Sequence, residues 1–283
     1  MPKSGFVTMI GRSNVGKSTL LNALVGSKVA ITTPKAQTTR MPVQGILNEK
    51  RGQIVFVDTP GIMQQSRDEL TKRLLKYAKG SLEGINVILY VVDPTRAIGN
   101  EEHQALAMIE SVKVPKIMII NKIDEEIKPF LENYRDLAKQ FDGLAEISAL
   151  RGSHLKDLIT VLFELLPEGE AFYPEYQFSS MPHEQWVAEL IREKLFLRLR
   201  EEVPYAVHVE VKDIEQRQNG MTYISATIYT NQDRYKNMII GKGGQGIKEI
   251  GQSARKELEG ISDKPVYLDL HVEYDPDWLG RLN

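Results

Sequence analysis

The sequence contains no cysteine, which rules out disulfide staples, thiolate zinc sites and cysteine nucleophiles together. Long apolar runs are missing too: nowhere do about 18 apolar residues follow one another, so no helix is expected to span a bilayer. The chain opens Met1-Pro2-Lys3-Ser4 and passes into an apolar strand pattern at Gly5, without the charged and apolar regions of a secretory leader. A cytoplasmic location is the expectation, with any membrane contact peripheral, at the inner face of the cell membrane. Charge of one sign is lacking as well. Acids and bases, 38 and 36, leave a formal charge of -2, which selects neither nucleic acid nor membrane as a partner. The five histidines are scattered, with no two at ligand spacing on one face, and read as surface or packing residues. What remains is an ordinary globular composition, and 283 residues suffice for two domains with separate cores.

From Gly5 to about Leu166, short β-rich runs alternate with longer helical periods. Phe6–Ile10, Ile54–Val57, Val87–Val92 and Lys116–Ile120 are apolar apart from Thr8 and the leading Lys116, the pattern of strands buried on both faces. Residues 1–168 are therefore expected to form an α/β domain, a mostly parallel sheet with helices on both faces. The stretch after Leu166, rich in proline and acids, breaks every period and reads as a linker over 169–183.

Gly11-Arg12-Ser13-Asn14-Val15-Gly16-Lys17-Ser18 has the spacing G-x-x-x-x-G-K-S, directly after a predicted strand and before a predicted helix that opens at Thr19. The glycines let backbone amides and the helix N-terminus face phosphates, Lys17 neutralises the outer phosphates and Ser18 ligates Mg²⁺. Alone, the motif fits ATPases as well. Asp58-Thr59-Pro60-Gly61 follows the strand Ile54–Val57 and supplies a carboxylate for Mg²⁺ and a glycine amide for the γ-phosphate. Asn121-Lys122-Ile123-Asp124 ends another strand, and the Asp124 carboxylate can accept two bonds from guanine, where adenine offers no such pair of donors. Ser148-Ala149-Leu150 would close over the base through backbone amides. The polar stretch Thr32–Arg40 has the character of a loop that senses the γ-phosphate, with Thr39 the first choice for an Mg²⁺ hydroxyl and Thr38 the second. Together these motifs predict binding and hydrolysis of GTP to GDP with Mg²⁺. Ile62 stands where many GTPases carry a water-orienting glutamine, so slow intrinsic turnover is expected.

After the linker, 184–283 is expected to form a second, α+β domain. Val187, Leu190, Ile191, Leu195 and Leu199 have helical spacing; alternating strands follow on either side of Asn219-Gly220, a hairpin signal. Two helices flanking a glycine turn and a last strand, Val266–Val272, complete the order α-β-β-α-α-β. The turn Ile240-Gly241-Lys242-Gly243-Gly244, with Lys248 beyond it, lets a sugar-phosphate backbone approach closely and adds charge, the device of a KH domain. A plain helix-turn-helix corner is the alternative. Trp186 and Trp278 read as packing anchors, since neither lies beside this turn.

With the G-x-x-x-x-G-K-S, DTPG, NKID and SAL motifs in order and the GKGG turn beyond them, the chain resembles the Era family of bacterial GTPases over nearly its full length. The resemblance implies a type II KH fold for the second domain. It also implies binding to the 3′ region of 16S ribosomal RNA, with a role in assembly of the 30S small ribosomal subunit. From relatives it further implies a potassium ion held with the help of Asn14, so that Asn14, Lys17, Thr39 and Gly61 form the expected catalytic set. A monomer is expected. A signalling GTPase whose second domain docks a protein, and a membrane-surface regulator, stay open as alternatives.

Overall fold

The computed structural model describes residues 1–62 and 69–281; Leu282 and Asn283, the end of the expected second domain, lie outside them. The chain divides into two compact units, Met1–Thr32 with Ala36–Ser180, and Met181–Asn283 with Thr33–Lys35.

In the first unit the strands are β1 (Lys3–Ile10), β2 (Val43–Glu49), β3 (Gly52–Asp58), β4 (Val87–Val92), β5 (Lys116–Ile120) and β6 (Gly143–Glu146), and the helices are α1 (Lys17–Val25), α2 (Glu69–Gly80), α3 (Asn100–Glu110), α4 (Leu131–Ala138) and α5 (Leu155–Leu165). They form one sheet of order β2-β3-β1-β4-β5-β6, parallel except for β2 against β3. Every residue of β4 is buried, as its unbroken apolar run requires of a central strand. The expected functional loops follow the carboxyl ends of β1, β3, β5 and β6, the edge where parallel sheets place ligands.

Strand β2 was not anticipated. Gln44, Gly45 and Asn48 interrupt its apolar pattern. At Gly45 the strand packs close against α1, where a Cβ would lie 2.6 Å from Leu21 Cδ1. As an edge strand, β2 needs cover, and the supposed linker supplies it. Ile46 N donates to Phe178 O at 3.0 Å and the Asn48 amide to Glu175 O at 2.9 Å. The buried Gln53 accepts from the Phe172 and Tyr173 amides at 2.8 and 3.0 Å. The boundary read at 168 is corrected accordingly: the first unit runs to Ser180, held by side-chain amides whose partners are about 120 residues away.

The second unit has α6 (His183–Arg198), β7 (Val207–Gln216), β8 (Thr222–Thr230), α7 (Asp233–Ile240), α8 (Gln245–Ser262) and β9 (Val266–Tyr274), the expected α-β-β-α-α-β order. The sheet runs β7-β8-β9, with β7 and β8 joined as a hairpin and β8 parallel to β9. A parallel pair demands a long crossover, and α7 and α8 provide it. Leu190, Ile191 and Leu195 of α6 pack with Ile224, Ala226 and Ile228 of β8 and with Ile250 and Leu258 of α8. Where the pattern predicts a strand from Tyr205, a 3₁₀ turn occupies Val203–Ala206 instead, opened by Pro204, whose missing N–H cannot join a ladder. Among the described residues no helix is long and apolar enough to cross a membrane.

Candidate functional site

The loop from β1 to α1 is set by its backbone. Asn14 and Gly16 take left-handed φ values of 63° and 96°. A Cβ on Gly11 would lie 2.2 Å from Val91 O, so only glycine fits there. The loop then opens directly into the N-terminus of α1, which begins at Lys17. Val15 is fully buried, leaving its backbone rather than its side chain to face a ligand. Thr19 stands one residue into the helix after Ser18.

Lys17 is buried and donates to Gly11 O and Arg12 O, each at 2.9 Å. Burial lowers its pKa from 10.5 to about 8, against the pull of Asp58 and Glu101. A phosphate beside Lys17 favours the charged form, so above about pH 8 binding must take up a proton. Nucleotide affinity is expected to fall as pH rises through about 8, by at most about tenfold per unit. Stability of the nucleotide-free fold moves the other way. Between about 8 and 10.5 the folded chain carries fewer protons here than the unfolded one, so raising the pH adds stability. Calorimetric GDP titrations between about pH 7 and about pH 9.5 check this, and a flat profile would contradict it.

Ser18, Thr39 and Asp58 converge. Ser18 Oγ donates to Asp58 Oδ2 at 2.5 Å and lies 2.9 Å from Thr39 Oγ1, which donates to the same carboxylate oxygen at 3.4 Å. Thr39, the first choice from the sequence, stands in this cluster. Burial raises the Asp58 pKa, opposed by Lys17, Ser18 and Thr39. Its Oδ1 atom is buried without a hydrogen-bond partner among the described residues. Two hydroxyls and an orphaned carboxylate oxygen are the hard-oxygen donors that Mg²⁺ prefers, so the residues fit that ion. Thr59 turns away, its hydroxyl donating to Met9 O at 2.7 Å, and the adjoining Pro60 is buried. Gly61 packs against the phosphate loop so closely that a Cβ would lie 2.5 Å from Ser13 Cα. Ile62 N donates to Gly11 O and Ser13 N to Ile62 O, both at 3.2 Å, while the Ile62 side chain enters the core beside Ile10 and Tyr90. It presents no group toward the site.

Asn121 ties the base loop to the phosphate loop. Its side chain, nearly inaccessible, donates to Val15 O and accepts from Ala149 N, both at 2.9 Å. Lys122 has a left-handed φ of 62° and reaches back to Asn14 O at 2.9 Å and to Asp93 at 2.6 Å. Burial works to raise the Asp93 pKa, but Lys122 and Thr95 outweigh it and hold the carboxyl below its ordinary value. Asp124 is exposed at the mouth of this loop. Ser148 is buried and accepts from Arg151 N, leaving Leu150, 74% exposed, as the flank of the base position.

Sequence reasoning passed over Arg12. It is buried in the phosphate loop, with Nε 2.7 Å from the equally buried Glu102 and Nη1 donating to Ala97 O. Glu102 also accepts from Gly99 N at 3.0 Å, joining the start of α3 to the loop. Arg96 adds a weak bond to Ser13 O at 3.4 Å. The only signal was the arginine among the motif's variable positions.

In the second unit, α7 ends at Ile240 and α8 begins at Gln245, with Gly241, Gly243 and Gly244 at φ values of 71°, 59° and 75°. Just beyond, a Cβ on Gly246 would lie 2.4 Å from Ile239 O, which fixes the close crossing of the two helices. Lys242 and Lys248 are exposed, with no ion-pair partner among the described residues, whereas Arg234 already lies 3.6 Å from Glu202. The turn can therefore admit an anionic backbone and offer it two uncommitted cations.

A family model described as 50S ribosome-binding GTPase matches residues 6–122, and one described as KH domain matches 202–279. The GTPase Era of Carboxydothermus hydrogenoformans is 44% identical over 286 residues, covering 99% of this chain and 95% of that protein. That of Halothermothrix orenii is 45% identical over 278 residues, covering 98% and 94%. Among solved structures, Era in complex with MgGDPNP and nucleotides 1506-1542 of 16S ribosomal RNA is 39% identical and superposes with a TM-score of 0.93, covering 100% of this chain and 97% of that one. An Aquifex aeolicus Era variant bound to GDP.AlF4- gives 39% identity and a TM-score of 0.92, covering 99% and 96%. With matched domains in this order and such identity along the whole chain, the protein belongs to the Era family of GTPases.

Proposed function

We propose that the chain binds the 3′ region of 16S ribosomal RNA through its glycine turn, hydrolyses GTP in its first unit, and acts in assembly of the 30S subunit. The observation that carries this reading is one chain holding both an oxygen-lined Ser18, Thr39 and Asp58 cluster beside Lys17 and a left-handed Gly241–Gly244 turn with two uncommitted lysines. The Era complex with MgGDPNP and 16S ribosomal RNA supports it. Bound Mg²⁺ would offset phosphate charge at Ser18, Thr39 and Asp58, while Asn121 and Asp124 hold guanine. A cytoplasmic monomer, with peripheral contact at the inner face of the membrane, belongs to the same proposal. Affinity for a short RNA of the 16S 3′ end, measured with GTP analogue, GDP and no nucleotide, tests the switch; binding should be tightest with the analogue. Equal affinity in all three states would sink nucleotide control.

Potassium at Asn14 is part of this proposal. With Ile62 turned into the core, no glutamine side chain orients the attacking water, so another group or a cation must do so, and Asn14 of the phosphate loop is exposed. Hydrolysis should run at least about tenfold faster in potassium than in sodium salt, given that an arginine finger is worth about 10³–10⁵. Equal rates in the two salts would remove the ion.

A further inference from the structure

The helices of the second unit cover one face of its sheet. On the opposite face, strand register lines up Glu215, Tyr223 and Tyr267 in one row and Asp213, Ser225 and Asp269 in the next. Further rows set Glu210 beside Thr227 and His271, and Tyr229 beside Glu273. There Thr227 and Tyr229 are buried, with His208 stacked between Tyr229 and Trp278, so the open part of the face is the Tyr267, Asp269, His271 and Glu273 side. Successive rows stand about 7 Å apart, the two-residue repeat of a strand. Tyr223 and Tyr267 stack with centroids 5.8 Å apart at 13°, and Tyr267 is 53% exposed. Arg217 lies 4.4 Å over the Tyr223 ring, so this aromatic pair already receives a guanidinium from its own chain. Asp269 accepts from Tyr223 Oη at 3.2 Å and lies 3.3 Å from His271, and Glu273 is exposed in the last row.

Among the described residues, five carboxylates, Glu210, Asp213, Glu215, Asp269 and Glu273, share this surface with the bases Lys212 and Arg217, and Lys212 is paired with Glu210 at 2.9 Å. Such a surface repels phosphates, unlike the glycine turn. Aromatic rings beside carboxylates instead recognise cations, and arginine best, because guanidinium stacks and pairs at once. We propose that this outer sheet face docks an extended, arginine-bearing basic segment of a partner protein, with guanidinium groups on Tyr267 and against Asp269 and Glu273. The repeat of the rows matches alternate side chains of an extended peptide, which point to one side.

The test uses the full chain and a fluorescein-labelled peptide of alternating arginine and serine, about eight residues long, followed by anisotropy at low salt. Tyr267→Ala should weaken binding about threefold to tenfold, and Asp269→Asn with Glu273→Gln about tenfold or more, with unchanged melting curves. A lysine-serine peptide should bind more weakly than the arginine one. Since the two sets of variants alter different chemistry, either reads out the face if the other misfolds. Undetectable peptide binding would overturn the proposal. So would an equal loss on Glu125→Gln with Glu126→Gln, an exposed acidic pair in the first unit, which would mark unspecific charge attraction. Weaker single-stranded RNA binding by Tyr267→Ala would identify a base-stacking platform and overturn it too.

Discussion

Replacing Asp124 by asparagine is expected to weaken GTP and GDP binding about 10²–10⁴-fold without harm to the fold. Asp124 is exposed, and the loop that carries it is held by others: Asn121 through Val15 O and Ala149 N, Lys122 through Asn14 O and Asp93. A carboxylate there can accept from guanine's ring N–H and exocyclic amine together. The amide keeps one acceptor and turns a donor against the second donor, so one charge-assisted bond is lost and the other is opposed. Xanthine carries a carbonyl where guanine has its amine, which the asparagine N–H can meet. Calorimetry with GDP and XDP should show affinity transferred from the first to the second. Undiminished GDP affinity would remove Asp124 from base recognition.

The architecture was legible because β4 and, after Lys116, β5 are apolar runs, and because α8, with Ile250, Ala254 and Leu258 buried, keeps a helical period. The nucleotide motifs were legible for a different reason: their chemistry is local, a few residues of fixed spacing on one loop. What was missed depends on partners distant in sequence. The cover over β2 rests on Gln53 and Asn48 meeting 172–177, and the Arg12–Glu102 pair joins the phosphate loop to α3 across 90 positions. Neither polar side chain announces burial in a sequence window, since charged residues become core residues only when a partner arrives through the fold. Thr39 was separable from Thr38 only as a preference, because which hydroxyl reaches Ser18 and Asp58 is decided by the path of an irregular loop.

Replacing Gly243 by aspartate should abolish RNA binding, at least about a hundredfold, while leaving the chain folded and its GTPase unit untouched. A Cβ at Gly243 meets open space, and its φ of 59° lies in the left-handed region that aspartate tolerates better than most residues. Gly246 and Gly241 offer no such control, because a Cβ there would press on backbone at 2.4 and 2.9 Å. The loss at position 243 is therefore one of charge, a carboxylate set where a phosphodiester must pass between Lys242 and Lys248. The decisive measurement is titration of a short RNA matching the 3′ end of 16S ribosomal RNA into the GTP-analogue form of the native chain and of Gly243→Asp. Tight binding by the first and none by the second is the expected result; binding by neither, or equally by both, would contradict RNA recognition at the glycine turn.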